Sequence, residues 1–148
     1  MTLDKRSAWK FSLLALAAWR EGRDQGYNGM VAICWSIRNR AFAPGFNWWG
    51  NDWDEVILKP WQYSSFNAND PNATKMPDSK KDSLSWNTAL DAAEVVFDAW
   101  LDKSIKDPTN GATHYYNPKA VASTPKWVTD PTTVFLCQIG DHLFYRAS

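Results

Sequence analysis

The sequence has no excess of either charge: sixteen Lys and Arg residues stand against sixteen Asp and Glu, for a formal net charge of zero. A nucleic-acid binder ordinarily carries a basic face or run. None is visible, so no nucleic-acid partner is expected. No apolar run approaches the roughly 20 residues a helix needs to cross a bilayer, and no membrane insertion is expected. Cysteine is scarce, with only Cys34 and Cys137. Cys34 lies in the apolar run 30–37, where a thiol acts as a small hydrophobe, and two free thiols are expected rather than a disulfide framework. Neither a Cys-x-x-Cys nor a His-x-x-x-His pairing occurs. His114 and His142, with Asp141, have ligand-type side chains, but structural histidines are the better reading, and neither metal nor cofactor is expected.

What is present is ordinary in bulk and unusual in one respect. The 148 residues suit one domain, since domains most often run about 100–150 residues. The apolar share of 45% and charged share of 22% are those of a globular chain. With no repeat, linker or low-complexity tract, a single domain over 1–148 is expected. Ten residues are Trp, and Trp48, Trp49 and Trp53 cluster in a Gly- and Asn-rich stretch. Exposed indoles make platforms for sugar rings, because an aromatic face packs against apolar C–H groups, although any single Trp is better read as core.

Periodicity then gives the plan. Lys5, Arg6 and Lys10 precede Phe11-Ser-Leu-Leu-Ala-Leu-Ala17 in imitation of a secretion signal. The run is broken by Ser12 and flows into Trp19-Arg-Glu-Gly22, so it reads as a helix from Asp4 or Ser7 to Arg20, ended near Gly22 and Gly26. Asn28 is the expected cap of a second helix reaching Arg40, apolar on all sides and so central. A short helix over Trp53–Leu58, an exposed loop over Asn67–Lys81, and a helix starting at Asp82 or Ser83 and reaching towards Trp100 follow. Ala112–Tyr116, Thr133–Cys137 and His142–Tyr145 read as strands. The expected class is α+β, mainly helical with a small antiparallel sheet towards the C-terminus.

Breaking a glycosidic bond needs a proton donor, which a carboxylic acid of raised pKa supplies. Glu21 closes an apolar helix, where apolar surroundings and the negative end of the helix dipole both favour the protonated form. Its setting is more specific than its position. The run Glu21-Gly-Arg-Asp-Gln-Gly-Tyr27-Asn-Gly29-Met-Val31-Ala32, with Asn39-Arg40, resembles the opening signature of the SleB-like cell-wall hydrolases, the spore cortex-lytic enzymes with their bacterial and phage relatives. Later blocks follow in order: Trp61-Gln-Tyr-Ser64, Asp107-Pro-Thr-Asn-Gly-Ala-Thr-His-Tyr-Tyr-Asn117-Pro118, Trp127, and Ile139-Gly-Asp-His142-Leu-Phe144-Tyr145.

The resemblance implies a lysozyme-like domain acting on the N-acetylmuramic acid–N-acetylglucosamine strands of peptidoglycan, with Glu21 as its catalytic acid. It points to lytic transglycosylation, in which one carboxyl group serves as acid and then base. Hydrolysis with two carboxylates would need a partner for Glu21, for which Asp24, Asp52 and Asp141 are candidates. Gln62, Tyr63, Ser64, Tyr116 and Asn117 are expected to bind substrate, and Arg23, Gln25, Tyr27 and His142 to support the site. The chain departs from the family pattern at Asp24 (usually Gly), Gln25 (usually a second Glu), Gly26 (Pro), Tyr63 (Phe), Asn110 (Gly) and Asp141 (Asn). A non-catalytic wall-binding or phage tail module is the competing reading, and a stem-peptide amidase a weaker one. Action outside the cytoplasm on the bacterial wall, by a monomer, is expected; a phage origin would explain the want of a convincing export signal.

Overall fold

The computed structural model describes residues 2–148 and contains, in chain order, α1 (Lys5–Gly22), α2 (Gly26–Ala41), α3 (Trp53–Ile57), α4 (Ser83–Asp98), β1 (His114–Tyr116), β2 (Val134–Ile139) and β3 (His142–Arg146), with single 3-10 turns at Ser64–Phe66 and Lys126–Thr129. This is the expected α+β plan.

The helices form because each end is specified and one face or more is apolar. Asp4 caps α1, its carboxylate accepting the Ser7 N–H at 2.7 Å. Leu13, Leu14, Ala15, Ala17, Ala18 and Trp19 are then buried, and the alanines let α2 and α4 approach closely. α2 is buried through Met30 and from Ala32 to Ile37, as its all-round apolarity requires, and it packs against both α1 and α4. α4 contributes Ala89, Ala92, Ala93 and Val96. The helical bundle is thus built around α2.

Two helix boundaries differ from expectation. α1 runs on through Gly22, which is a contact point rather than a stop: a Cβ there would lie 2.5 Å from Ile33 Cδ1. The chain turns instead at Gly26, whose φ of +71° favours a residue without a Cβ. α2 consequently begins at Gly26, not after Asn28, and its cap residue Gln25 makes no side-chain capping bond.

The sheet has the order β1-β3-β2, antiparallel throughout, with β3 central. Tyr115 pairs with Phe144, while His114 pairs with Tyr145. Because successive strand residues point to opposite faces, Tyr115, His142 and Phe144 share one face. His114, Tyr116 and Tyr145 share the other. The first face joins α2 through a cluster of Ala32, Ala112 and Phe144. The second carries an aromatic layer in which Trp127 meets His114, Tyr116 and Tyr145 at centroid distances of 5.1, 5.9 and 5.3 Å. His114 and His142 therefore lie on opposite faces. No group of three His, Cys, Asp or Glu side chains among the described residues could hold a metal ion. Both cysteines are free, Cys34 fully buried.

The Asp107–Asn117 block fastens the sheet to the bundle. Asp107 accepts bonds from Asn39 Nδ2 (2.8 Å), the Thr109 N–H (2.8 Å) and hydroxyl (2.7 Å), and the Gly111 N–H (2.9 Å). Asn110 and Gly111 both have positive φ, +61° and +94°. Asn tolerates this region better than other residues with a Cβ, which explains how it stands in for Gly.

Candidate active site

The last turn of α1 and the turn after it, the C-terminal end of α2, the segment 61–64, β1 and the start of β3 converge on a cleft of about 450 Å³, within the usual span of about 300–1,000 Å³ for ligand sites. Glu21 lies in it, together with Asp24, Arg40, Trp61, Gln62, Tyr63, Ser64, Tyr115, Tyr116, Asn117 and His142. A groove of about 490 Å³ on the far side, between Phe42, Trp53, Phe97 and Trp100, is more apolar, but there Lys10 and Asp52 neutralise each other in an ion pair.

Burial pushes the Glu21 carboxyl above its ordinary range. The Ser65 hydroxyl and backbone pull it back, nearby Asp70 raises it again, and the Tyr115 hydroxyl lowers it. Ser65, itself 2% exposed, donates its hydroxyl to Glu21 Oε1 at 2.8 Å. Arg20 holds Ser65 in place: its guanidinium donates to the Ser65 carbonyl (3.3 Å) and the Lys75 carbonyl (3.1 Å), and lies over the Phe66 ring. Adjacent residues of one helix thus divide the work, Glu21 facing the cleft and Arg20 strapping down the loop that supplies its partner.

Arg40, 5% exposed, forms the floor. It donates to the Thr113 carbonyl and to Gln62 Oε1 (3.0 Å), and lies between the Trp49 and Tyr63 rings, 5.4 and 5.5 Å from their centroids. The Trp49 indole N–H in turn donates to the Arg40 carbonyl at 3.1 Å. Since guanidinium can only donate, Gln62 must present its oxygen to Arg40, which leaves its amide nitrogen to face a ligand. Tyr63 packs its ring in the core, and its buried hydroxyl has no hydrogen-bond partner among the described residues. The same holds for His142 Nδ1. Burial lowers the His142 pKa, against the pull of Asp24 and Asp141, so the ring is neutral at neutral pH.

Trp61 is conspicuous. Its φ is +67°, a left-handed conformation that costs a residue with a Cβ roughly 1–2 kcal/mol. It is held there by a bond from its N–H to Asn67 Oδ1 at 2.9 Å, and its side chain is 73% exposed at the cleft mouth. Backbone strain of this kind collects at functional sites.

Of the residues expected to bind substrate, all five line the cleft, and so does His142. Tyr115, not among the expected substrate-binding residues, lines the cleft beside Tyr116, and its hydroxyl lowers the Glu21 pKa. Arg23, Gln25 and Tyr27 do not line the cleft. Arg23 lies over the Trp19 ring and donates to Asn72 Oδ1 at 3.3 Å. Gln25 is bound to Asp141 at both ends: its Nε2 donates to Oδ2 (3.1 Å) and its Oε1 accepts the Asp141 N–H (2.8 Å). Of the three candidate second carboxylates only Asp24 lines the cleft; Asp52 pairs with Lys10, and Asp141 with Gln25 and Lys119. Trp49 and Trp53, at 4% and 5% exposure, are core, leaving Trp48 as the exposed indole of that cluster.

Residues 24–145 match the model of the Cell Wall Hydrolase family. The chain belongs to that family. The match begins three residues after Glu21. Two solved structures resemble this cell-wall hydrolase over nearly its whole length. The catalytic domain of the Bacillus cereus SleB protein is 28% identical, with a TM-score of 0.66 and coverage of 91% of this chain and 88% of that one. The catalytic domain of the germination-specific lytic transglycosylase SleB from Bacillus anthracis is 27% identical, with a TM-score of 0.66 and coverage of 91% and 92%. No curated protein matches the chain. The SleB likeness makes the fold of this cell-wall hydrolase lysozyme-like. Two departures from the family pattern also meet in space. Gln25 and Asp141, at positions where the resemblance leads one to expect a Glu and an Asn, form an amide–carboxylate pair.

Proposed function

We propose that this cell-wall hydrolase cleaves peptidoglycan strands between N-acetylmuramic acid and N-acetylglucosamine by lytic transglycosylation, with Glu21 as acid and then base. The observation that carries the reading is Glu21 itself: a carboxyl group enclosed in a cleft at a helix C-terminus, its pKa raised by burial and its Oε1 bonded by the Ser65 hydroxyl. In the first step the Glu21 proton passes to the glycosidic oxygen as the bond to the anomeric carbon breaks. In the second the Glu21 carboxylate takes the proton of the muramic C6 hydroxyl as that oxygen attacks the anomeric carbon, closing a 1,6-anhydro ring and restoring the acid. The Bacillus anthracis neighbour is a lytic transglycosylase, which supports this outcome.

A muramidase reading draws on Asp24, which lines the same cleft and in an inverting or retaining hydrolase would activate water or carry the sugar. Mass spectrometry of purified peptidoglycan treated with the protein separates the two. Anhydro-muramic ends that fall by about 10²–10⁴-fold in Glu21→Gln, the usual weight of a general acid, are the expected result. Reducing ends would assign hydrolysis, with Asp24→Asn as the next variant. Intact glycan with binding retained would leave a wall-binding module.

A further inference from the structure

Arg40, Trp61, Gln62 and Tyr115 line the cleft beside Glu21, and the same four residues line a second, adjoining cavity of about 290 Å³. Beyond the shared wall this branch is bounded by Trp48, His114, Trp127 and Ser148. Three indoles thus surround one small space next to the cleft that holds Glu21. We propose that this branch, between Trp48, Trp61 and Trp127, is a separate saccharide subsite that holds an N-acetylhexosamine unit of the glycan strand beyond the bond being cut. The inference rests on the reading of the cleft as a glycan site.

The indole and amide walls suit a sugar ring, with Arg40 the one cation among them. Indole faces pack on the apolar C–H faces of a pyranose, and the Gln62 amide nitrogen, left free by the bond of Gln62 Oε1 to Arg40, can donate to a hydroxyl or acetamido oxygen. His114 adds no charge, since burial beside Arg40 lowers its pKa to about 3. The platforms are also set before a ligand arrives. Trp48 leans edge-on against buried Trp49 at 5.6 Å, Trp127 is braced by the aromatic layer of the sheet, and the Trp61 backbone is held by its bond to Asn67 while its indole stays exposed. Rigid walls reduce the ordering cost of binding. A strained backbone at an exposed Trp has a use if the indole must stand at the junction of the two cavities.

Binding without turnover tests this. Glu21→Gln protein is titrated by calorimetry with peptide-free glycan strands and with short and long chitin oligosaccharides. Adding Trp48→Ala or Trp61→Gly should weaken binding of the long ligands about tenfold, a 1.4 kcal/mol change, and erase the advantage of long over short. Trp61→Gly also relieves the positive φ, so misfolding would not imitate the effect, and Trp61→Phe should restore most of the affinity. Trp100→Ala, an exposed indole on the far groove, should change nothing. Unchanged affinity in both cleft variants overturns the subsite even if Glu21-dependent cleavage stands. Conversely, weakened binding in a protein that cuts no glycan keeps the subsite while the reading of the reaction falls.

Discussion

Ser65 and Glu21 act against each other on a single proton. Enclosure in the cleft favours the neutral acid, whereas the Ser65 hydroxyl, donating to Oε1 at 2.8 Å, favours the carboxylate. A general acid must be protonated in the first step and a competent base in the second, so its pKa is best held near the working pH. Removing the donor in Ser65→Ala takes away a group that lowers the pKa, and the Glu21 pKa must rise further. The alkaline limb of kcat/KM, which follows loss of the protonated acid, should therefore move to higher pH in this variant. A uniform loss of rate with the limb unmoved would make Ser65 a packing residue only. In the sequence Ser65 carries no signal beyond its place next to Ser64, the serine expected to bind substrate. The two differ because the 3-10 turn Ser64–Phe66 points one hydroxyl outward and the other at Glu21, and a strand or helix period does not describe that geometry.

At the scale of elements, the cleft depends on clamps between parts of the chain that are far apart in sequence. Gln25, at the start of α2, grips the β2–β3 turn at Asp141 across 116 residues. The fit is close: a Cβ on Gly29 would lie 2.4 Å from Gln25 Cβ, and one on Gly140 would lie 2.5 Å from Gln25 Oε1. Gln25→Ala should lower stability by about 1–2 kcal/mol, the usual worth of two hydrogen bonds. Gln25→Glu alone should also destabilise, because it sets one carboxylate against another. Gln25→Glu with Asp141→Asn restores an amide opposite a carboxylate and should recover most of the loss in urea unfolding. Recovery would show coupling between the two positions; additive losses would mean that they act separately. The elements themselves are legible from periodicity and turn residues. Their edges are not, since Gly22 reads as a helix stop but serves as a close contact with Ile33. Gln25 reads as a site residue because it stands where the resembled family usually has a second Glu, and its side chain bonds Asp141 at the β2–β3 turn.

For the whole molecule, composition indicates aromatic platforms without saying which tryptophans supply them. Trp19, Trp35, Trp49 and Trp53 go to the core, while Trp48 and Trp61 stay exposed, and only the packing of the folded chain separates the two sets. His114 sits at that junction, 7% exposed, bonded to Thr113 and close to the Trp49 and Trp127 rings. Burial and nearby Arg40 lower its pKa from 6.5 to about 3, so the folded protein keeps it neutral where the unfolded chain would take up a proton. Between those two values the unfolded state binds more protons, and stability must fall as the pH falls. This contribution is complete above about pH 6.5 and is lost progressively towards pH 3. Unfolding in urea across that range should show the decline, and His114→Gln should flatten it. An equal slope in both proteins would assign the acid sensitivity to other groups. The same titration reports on domain organisation. If the chain is one folding unit, tryptophan fluorescence and far-ultraviolet dichroism should give coincident transitions, and loss of the His114 junction should release bundle and sheet together rather than in turn.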